Sequence, residues 1–168
     1  EIIMATETKT KTKAKTAPTA IVKAKTHYID ATHLIVGRMA SLVAEKILKG
    51  ENVFIANCEK AVFTGNPIRL RQLWQTRLDL RPKGNPETGP RFHRVPDRIV
   101  REIIEGMVPY RRERGVQAMH RLRVFIGVPS IHKERKWETL EKAQTPRTKG
   151  IITVQALAEA LGYNGLRN

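Results

Sequence analysis

The chain has 168 residues, of which 40% are apolar, and its 31 Lys and Arg outnumber its 16 Asp and Glu to give a formal net charge of +15. This length fits one compact domain with a tail. Such a positive charge indicates a polyanionic partner, most often a nucleic acid. The single cysteine, Cys58, excludes an intramolecular disulfide and favours the cytoplasm, and no apolar run approaches the roughly 20 residues of a membrane helix.

The charge is unevenly spread along the chain. Residues 1–26 are rich in Lys, Thr and Ala and have little apolar surface, so we predict a basic N-terminal extension that is disordered when free. This extension either orders on an anionic partner or acts as a solubilising tail. Residues 26–68 are neutral, whereas residues 69–123 carry a net charge of +8. Residues 27–168 are therefore predicted to form one domain with one basic face.

The first part of this domain alternates strand and helix patterns. Apolar residues around a short polar break predict a strand region over residues 28–36. Residues 39–47 have apolar side chains at helical spacing, and Gly50 is a typical residue after a helix end. Residues 52–56, NVFIA, are continuously apolar, which is typical of a strand buried on both faces.

A capped helix and a long loop follow. Asn66 suits the N-cap and Pro67 the first helical position. The apolar spacing predicts that this helix runs to Leu78 and places Trp74 in the core. Residues 79–96 contain four prolines and two glycines, and they predict a loop. A loop of this length is uncommon unless it is functional.

The last part of the chain contains two more predicted helices. The apolar spacing predicts a helix over residues 97–108, which Pro109 would end. The basic segment 110–123 leads into an apolar strand predicted over residues 122–128, and a capped helix is predicted over residues 153–162. This order predicts the α/β fold class, as a three-layer α/β/α domain with a mostly parallel central sheet.

Two stretches, residues 36–67 and residues 106–129, contain short motifs in a fixed order. These are Gly37-Arg38, Ala40-Ser41, Asn57, Lys60, Thr64-Gly65-Asn66-Pro67, Gly106-Met107, Pro109, Gly115 and Arg121-Leu122-Arg123-Val124. Together they resemble the large-subunit ribosomal protein thirteen family, which occurs in all domains of life. The resemblance covers about residues 28–129 and leaves residues 130–168 as a C-terminal extension.

The resemblance implies an α/β domain with a parallel sheet that docks on ribosomal RNA without catalysis. The stretch GVPS, residues 127–130, lacks the His-Pro that bacterial members tend to show after the last core strand. The Lys-rich tail lies outside the shared core. Both differences favour the archaeal and eukaryotic branch. The lack of a long helical C-terminal extension favours the archaeal members.

The resemblance and the charge pattern together predict an RNA-binding surface made mainly of arginine. Residues 69–123 contain thirteen Arg and one Lys. A guanidinium forks onto phosphate and stacks on bases, which suits structured RNA. The domain residues predicted to contact RNA are Arg38, Lys60, Arg69, Arg71, Arg77, Arg81, Lys83, Arg91, Phe92, His93, Arg94, Arg101, Tyr110, Arg111, Arg112, Arg114, His120, Arg121 and Arg123. The tail residues predicted to contact RNA are Lys9, Lys11, Lys13, Lys15, Lys23 and Lys25.

Several of these residues also have a structural interpretation. Arg38 follows a glycine at a predicted strand-to-helix turn, where a helix N-terminus would favour phosphate, or it is an ordinary surface arginine. Some arginines are expected to pair with carboxylates, first of all Arg98 with Glu102, because the two stand four residues apart on a helix. His93 and His120 are expected to be hydrogen-bonding surface residues rather than general bases.

The sequence lacks the usual enzyme motifs. Gly84 and Gly89 have the spacing of a phosphate-binding loop, but Pro90 replaces its lysine. We therefore expect no catalysis, metal, cofactor, small-molecule substrate or membrane. The expected partners are large-subunit ribosomal RNA and neighbouring ribosomal proteins in the cytoplasm. Two alternatives stay open, a regulator that binds messenger RNA and a nucleotide-binding enzyme on the same fold class.

Overall fold

A computed structural model gives the fold of residues 25–80, 84–85, 87–146 and 149–165. The predicted N-terminal extension lies outside the described residues except for its last two positions. Arg81 and Lys83 of the predicted loop also lie outside them. In the described part of the chain, no helix is long and apolar enough to cross a membrane.

Five strands and five α-helices make up the described fold. The strands are β1 Thr26–Asp30, β2 Asn52–Ala56, β3 Val62–Thr64, β4 Leu122–Val124 and β5 Ile151–Thr153. The helices are α1 Val36–Leu48, α2 Pro67–Asp79, α3 Pro96–Glu105, α4 Glu113–His120 and α5 Val154–Ala160. The helices are interspersed with strands, and the three-stranded sheet is parallel, which confirms the predicted α/β class.

Strands β1, β2 and β4 form a parallel sheet in the order β1-β2-β4. Successive side chains of a strand point to opposite faces. On one face Ile29, Ile55 and Leu122 are fully buried. On the other face Tyr28 lies in register with Phe54, and Phe54 with Arg123. The two faces therefore differ, one being aliphatic and the other aromatic and basic.

Helices α1, α3 and α4 pack together on the aliphatic face. Their buried side chains include Ile47, Ile104 and Met119, which join those of the sheet in one core. Burying such a side chain contributes about 1.5–3 kcal/mol. The neutral region between residues 26 and 68 therefore supplies most of the sheet and the central helix, as its apolar patterns predicted.

A second, two-stranded sheet closes the other end of the domain. Strands β3 and β5 pair antiparallel, and β5 runs directly into α5. The predicted caps are confirmed: the Asn66 side chain accepts a hydrogen bond from the Ile68 N–H at 3.0 Å, and Thr153 accepts one from the Ala156 N–H at 3.1 Å. This pairing had no signal in the sequence, because β5 is three residues long.

Three predicted boundaries were wrong, and one helix was missed. The strand region over residues 28–36 ends at Asp30, and α1 already begins at Val36. Helix α3 ends at Glu105, before Pro109, in a run of turns. Strand β4 ends at Val124 because the chain bends at Gly127, whose N–H donates to the Glu59 carboxylate at 3.0 Å. The basic segment 110–123 contains a helix, α4, that the arginine-rich composition concealed.

Candidate RNA-binding surface

The predicted contact residues within the described part of the chain all have side chains that reach solvent. Exposed members are Lys25, Arg38, Lys60, Arg69, Arg71, Arg91, Arg94, Arg101, Tyr110, Arg111, Arg112, Arg114, His120 and Arg123. Half-buried members are Arg77, Phe92, His93 and Arg121. The remaining ones, Arg81, Lys83, Lys9, Lys11, Lys13, Lys15 and Lys23, lie outside the described residues.

No arginine forms an ion pair within the described residues. The ion pairs there join His27 to Glu51 and Glu138, and Lys49 to Glu45. The expectation that several arginines pair with carboxylates was therefore wrong. These guanidinium groups keep their charge free of an internal carboxylate partner and available to an external anion.

The expected pair between Arg98 and Glu102 is among those that do not form. Arg98 is exposed, whereas Glu102 is half-buried and has a buried carboxylate oxygen, Oε2, without a hydrogen-bond partner in the described chain. Burial raises the pKa of Glu102, although the nearby His93 and Arg77 oppose this rise. The carboxylate turns inward while the guanidinium faces solvent, so helical spacing alone did not bring the two together.

Helix α3 forms one wall of an open cleft of about 740 Å³. It contributes Arg98 and Arg101, and the preceding loop contributes Arg91 and His93. The other lining residues are Asp97, Glu102, Glu105, Gly106 and Tyr110. The cleft brings together basic residues that are up to ten positions apart. Arg98 was missed as a site residue, although its spacing to Arg94 and Arg101 was a signal.

The segment before α4 is held in place by a close backbone contact. A Cβ atom at Gly115 would lie 2.1 Å from the carbonyl oxygen of Pro109, so this position accepts only glycine. The contact fixes Tyr110, whose ring lies 5.7 Å from the Arg111 guanidinium carbon. The Arg111 Nε–H also donates to the Tyr110 hydroxyl at 3.3 Å. The Gly115 that carried part of the resemblance thus has a physical role beside the arginines.

Helix α2 presents arginines around a single buried anchor. Trp74 is 4% exposed, which confirms that it belongs to the core. The Arg77 guanidinium carbon lies 5.2 Å from the Trp74 ring centroid, so part of this predicted contact residue packs on the protein itself. Arg69 and Arg71 are exposed on the same helix.

Arg38 and Lys60 both follow the carboxyl ends of parallel strands, Arg38 after β1 and Lys60 after β2. Arg38 is in the first turn of α1, whose N-cap Ile35 supplies no side-chain hydrogen bond. An uncapped helix N-terminus with an exposed arginine can hold a phosphate. Lys60 is exposed after β2 and lies near Asp30. The RNA contacts of Arg38 and Lys60 stay predictions.

A polar network closes the carboxyl ends of β1 and β2 beside Lys60. The Asn57 side-chain N–H donates to Asp30 Oδ1 at 3.0 Å, and the Thr32 hydroxyl donates to the same atom at 2.7 Å. Burial by itself would raise the pKa of Asp30, but these hydrogen bonds and Lys60 outweigh it and lower the pKa. Asn57 has a φ of +53°, which asparagine tolerates better than most residues. This explains why Asn57 belongs to the matching pattern.

The fold is that of a small, basic α/β protein. Within the described residues its arginines form no ion pair with a carboxylate, which defines the class of α/β proteins with a surface for anions. A model of the family described as ribosomal protein L13 matches residues 24–130 of the chain. The match covers both the sheet and the arginine-rich region through α4.

Archaeal proteins are similar to the chain over most of its length. A large ribosomal subunit protein uL13 of Methanopyrus kandleri is 37% identical over 139 residues, which cover 80% of this chain and 86% of the relative. Its counterpart in Archaeoglobus fulgidus is 36% identical over 141 residues, covering 82% and 88%. The counterpart in Methanosarcina barkeri is 46% identical over 116 residues, covering 68% and 81%.

The chain belongs to the ribosomal protein L13 family. The resemblance inferred from short motifs is therefore confirmed. These relatives are archaeal, which agrees with the predicted archaeal-type branch.

Proposed function

We propose that the protein is a structural constituent of the large ribosomal subunit and binds large-subunit ribosomal RNA through its arginine-rich surface. The relatives are named large ribosomal subunit proteins, which supports the first half of this proposal. The observation that carries the second half is the absence of any arginine from the ion pairs of the described residues. The proposed role is noncatalytic and cytoplasmic, beside neighbouring ribosomal proteins.

The proposed surface has three parts. They are the cleft along α3, the exposed arginines of residues 111–114, and Arg69 with Arg71 on α2. Each guanidinium that neutralises a phosphate releases counterions, so binding should weaken steeply as salt rises. Tyr110, held beside Arg111 and exposed, could stack on a base.

The test is a charge-removal series measured against archaeal large-subunit ribosomal RNA. A variant with Arg111→Gln, Arg112→Gln and Arg114→Gln loses three exposed charges. The control with Lys49→Gln, Lys142→Gln and Lys149→Gln loses three exposed charges outside the proposed surface. The logarithm of affinity falls linearly with the logarithm of salt concentration, and the first variant should reduce this slope by about 2–3 while the control leaves it nearly unchanged.

Sedimentation of native lysate through a sucrose gradient tests the assembly itself. Co-migration with the large subunit at moderate salt, lost after RNase treatment, is the expected result. Protein that stays at the top of the gradient at every salt concentration would overturn the ribosomal role. A nucleotide affinity found in that case would support the enzyme alternative instead.

A further inference from the structure

A segment after β4 crosses the aromatic face of the central sheet. We call residues 130–138 the strap. It starts beside β4 and ends at the outer edge of β1, where the Glu138 N–H donates to the Tyr28 carbonyl at 2.8 Å. The Asp30 N–H donates to the Glu138 carbonyl at 3.0 Å. The strap therefore spans the sheet from one edge to the other.

Two rings fix the strap to the sheet. The His132 ring centroid lies 5.0 Å from that of Phe54 and 5.4 Å from that of Tyr28. The Trp137 ring meets Tyr28 edge-on at 5.5 Å. Aromatic pairs at such distances contribute about 0.5–1.5 kcal/mol beyond the area that they bury. The strap is thus anchored near both of its ends.

The side chains between the anchors point to solvent and are mostly basic. Lys133, Arg135 and Lys136 are exposed, and none belongs to an ion pair of the described residues. The Arg135 guanidinium carbon lies 6.0 Å from the Tyr28 ring centroid. Ile131 at the first turn of the strap is 86% exposed.

The sheet adds a fourth cation to this surface. Arg123 is exposed and lies in register with Phe54, on the face that the strap crosses. The acidic groups are fewer: Glu134 is exposed, and the Glu138 carboxylate lies 3.8 Å from His27. The surface of strap and Arg123 is therefore positive.

We propose that the strap and Arg123 form a second RNA-binding surface, on the side of the domain opposite the cleft of α3. This inference rests on the proposed function, because it assigns a further RNA segment to the same protein. The protein then holds two RNA segments against its two faces. Its place in the particle is that of a cross-link between them.

The chemistry of the strap suits RNA phosphates and bases. Its cations stand on a backbone that aromatic contacts already fix, so binding orders few additional groups. The exposed face of a guanidinium packed over a tyrosine can receive a base by stacking. Ile131, exposed at the first turn of the strap, offers an apolar contact to a base or ribose.

Charge removal from the strap is the first arm of the test. The strap variant with Lys133→Gln, Arg135→Gln and Lys136→Gln has the same net charge as the lysine control described above. Its affinity for archaeal large-subunit ribosomal RNA should fall on the order of tenfold, with a smaller salt slope. If the strap variant matches the control while the Arg111–Arg114 variant loses affinity, the inference fails and the proposed function stands.

Directed hydroxyl-radical cleavage is the second arm and locates the RNA. An iron chelate is tethered to Ser130→Cys on the strap or to Val116→Cys on α4, both exposed positions. The native chain, whose Cys58 is buried, is the blank. Two separate sets of cleaved nucleotides support the inference. Cleavage from α4 alone, or of the same nucleotides from both positions, overturns it, and cleavage from neither overturns the proposed function as well.

Discussion

Helices α1 and α2 have the same length, thirteen residues, but the protein uses them in opposite ways. Helix α1 buries six residues between the sheet and the neighbouring helices. Helix α2 buries only Trp74, and it exposes Ile68 and Leu73 beside its arginines. Helical propensity does not separate them. Helix α1 is therefore stabilised along its whole length by the core, whereas α2 is stabilised at a few points.

Those few points can be named. Asn66 caps the first turn and Pro67 sets its backbone angle. The ring centroids of Trp74 and Phe63 of β3 lie 6.3 Å apart, and the Arg77 guanidinium lies over the Trp74 ring. A helix attached in this way keeps most of its surface for a partner.

Trp74→Ala should have the largest effect. Removing a buried tryptophan costs about 3–5 kcal/mol of unfolding free energy, and here it removes the one buried side chain of α2. We expect a lower midpoint of urea denaturation together with a loss of helical circular dichroism before the main transition. Trp74→Phe keeps an apolar ring and should retain the helix. An unchanged midpoint in Trp74→Ala would show that α2 has another anchor.

A matched pair of substitutions compares the two helices directly. Ile47→Ala in α1 should cost about 2–5 kcal/mol, whereas Leu73→Ala in α2 should stay within about 0.5 kcal/mol. Ile47 is fully buried and Leu73 is 49% exposed. Alkylation of Cys58 during urea denaturation measures both, because burial raises the pKa of its thiol in the folded protein. Equal costs would refute the contrast.

Asn66→Ala should destabilise α2 by about 1 kcal/mol, because the Ile68 N–H loses its acceptor. Thermal denaturation followed by circular dichroism measures the change. Thr64→Ala, two residues earlier and exposed, is the control and should be nearly neutral. A neutral Asn66→Ala would mean that Trp74 and Pro67 hold the helix without the cap.

The pH dependence of stability should differ between the sheet and the cleft. The pKa of Asp30 is lowered in the folded protein, so its contribution is full above the unfolded value and is lost as pH falls through the lower folded value. Asp30→Asn should therefore destabilise the protein at pH 6 more than near pH 3, roughly one unit below an ordinary aspartate pKa. Urea midpoints at the two pH values measure this.

Glu102 gives the opposite sign and serves as the contrast. Its pKa is raised in the folded protein, so the ionised carboxylate opposes folding above the usual glutamate pKa. Glu102→Gln should stabilise the protein at pH 6, and the gain should fade as pH falls below the ordinary value. A destabilised variant at pH 6 would show that the carboxylate accepts a contact that outweighs its burial.

The apolar patterns of the sequence were sufficient to predict the core elements. Continuous apolar residues predicted β2, and helical spacing predicted α1 and the anchor Trp74, because burial requires those periods. Short motifs identified the family. Three of their residues have a local backbone role: Asn57 has a positive φ, Gly115 leaves no room for a Cβ atom, and Asn66 caps a helix. The net charge indicated a polyanionic partner before any element was placed.

The positions of the unpaired charges, and which of them lie together, follow from contacts between distant segments. Arg98 and Glu102 have ideal spacing for a pair, yet one faces solvent and the other turns inward. The cleft joins the loop before α3 to Tyr110 after it, and the strap places Arg135 over Tyr28, more than a hundred residues earlier. Periodicity is a local property of the chain, whereas ion pairing and surface charge depend on contacts between distant segments. Local patterns in the sequence were therefore enough to predict the core elements and the family, whereas the arrangement of surface charges depends on how the elements pack.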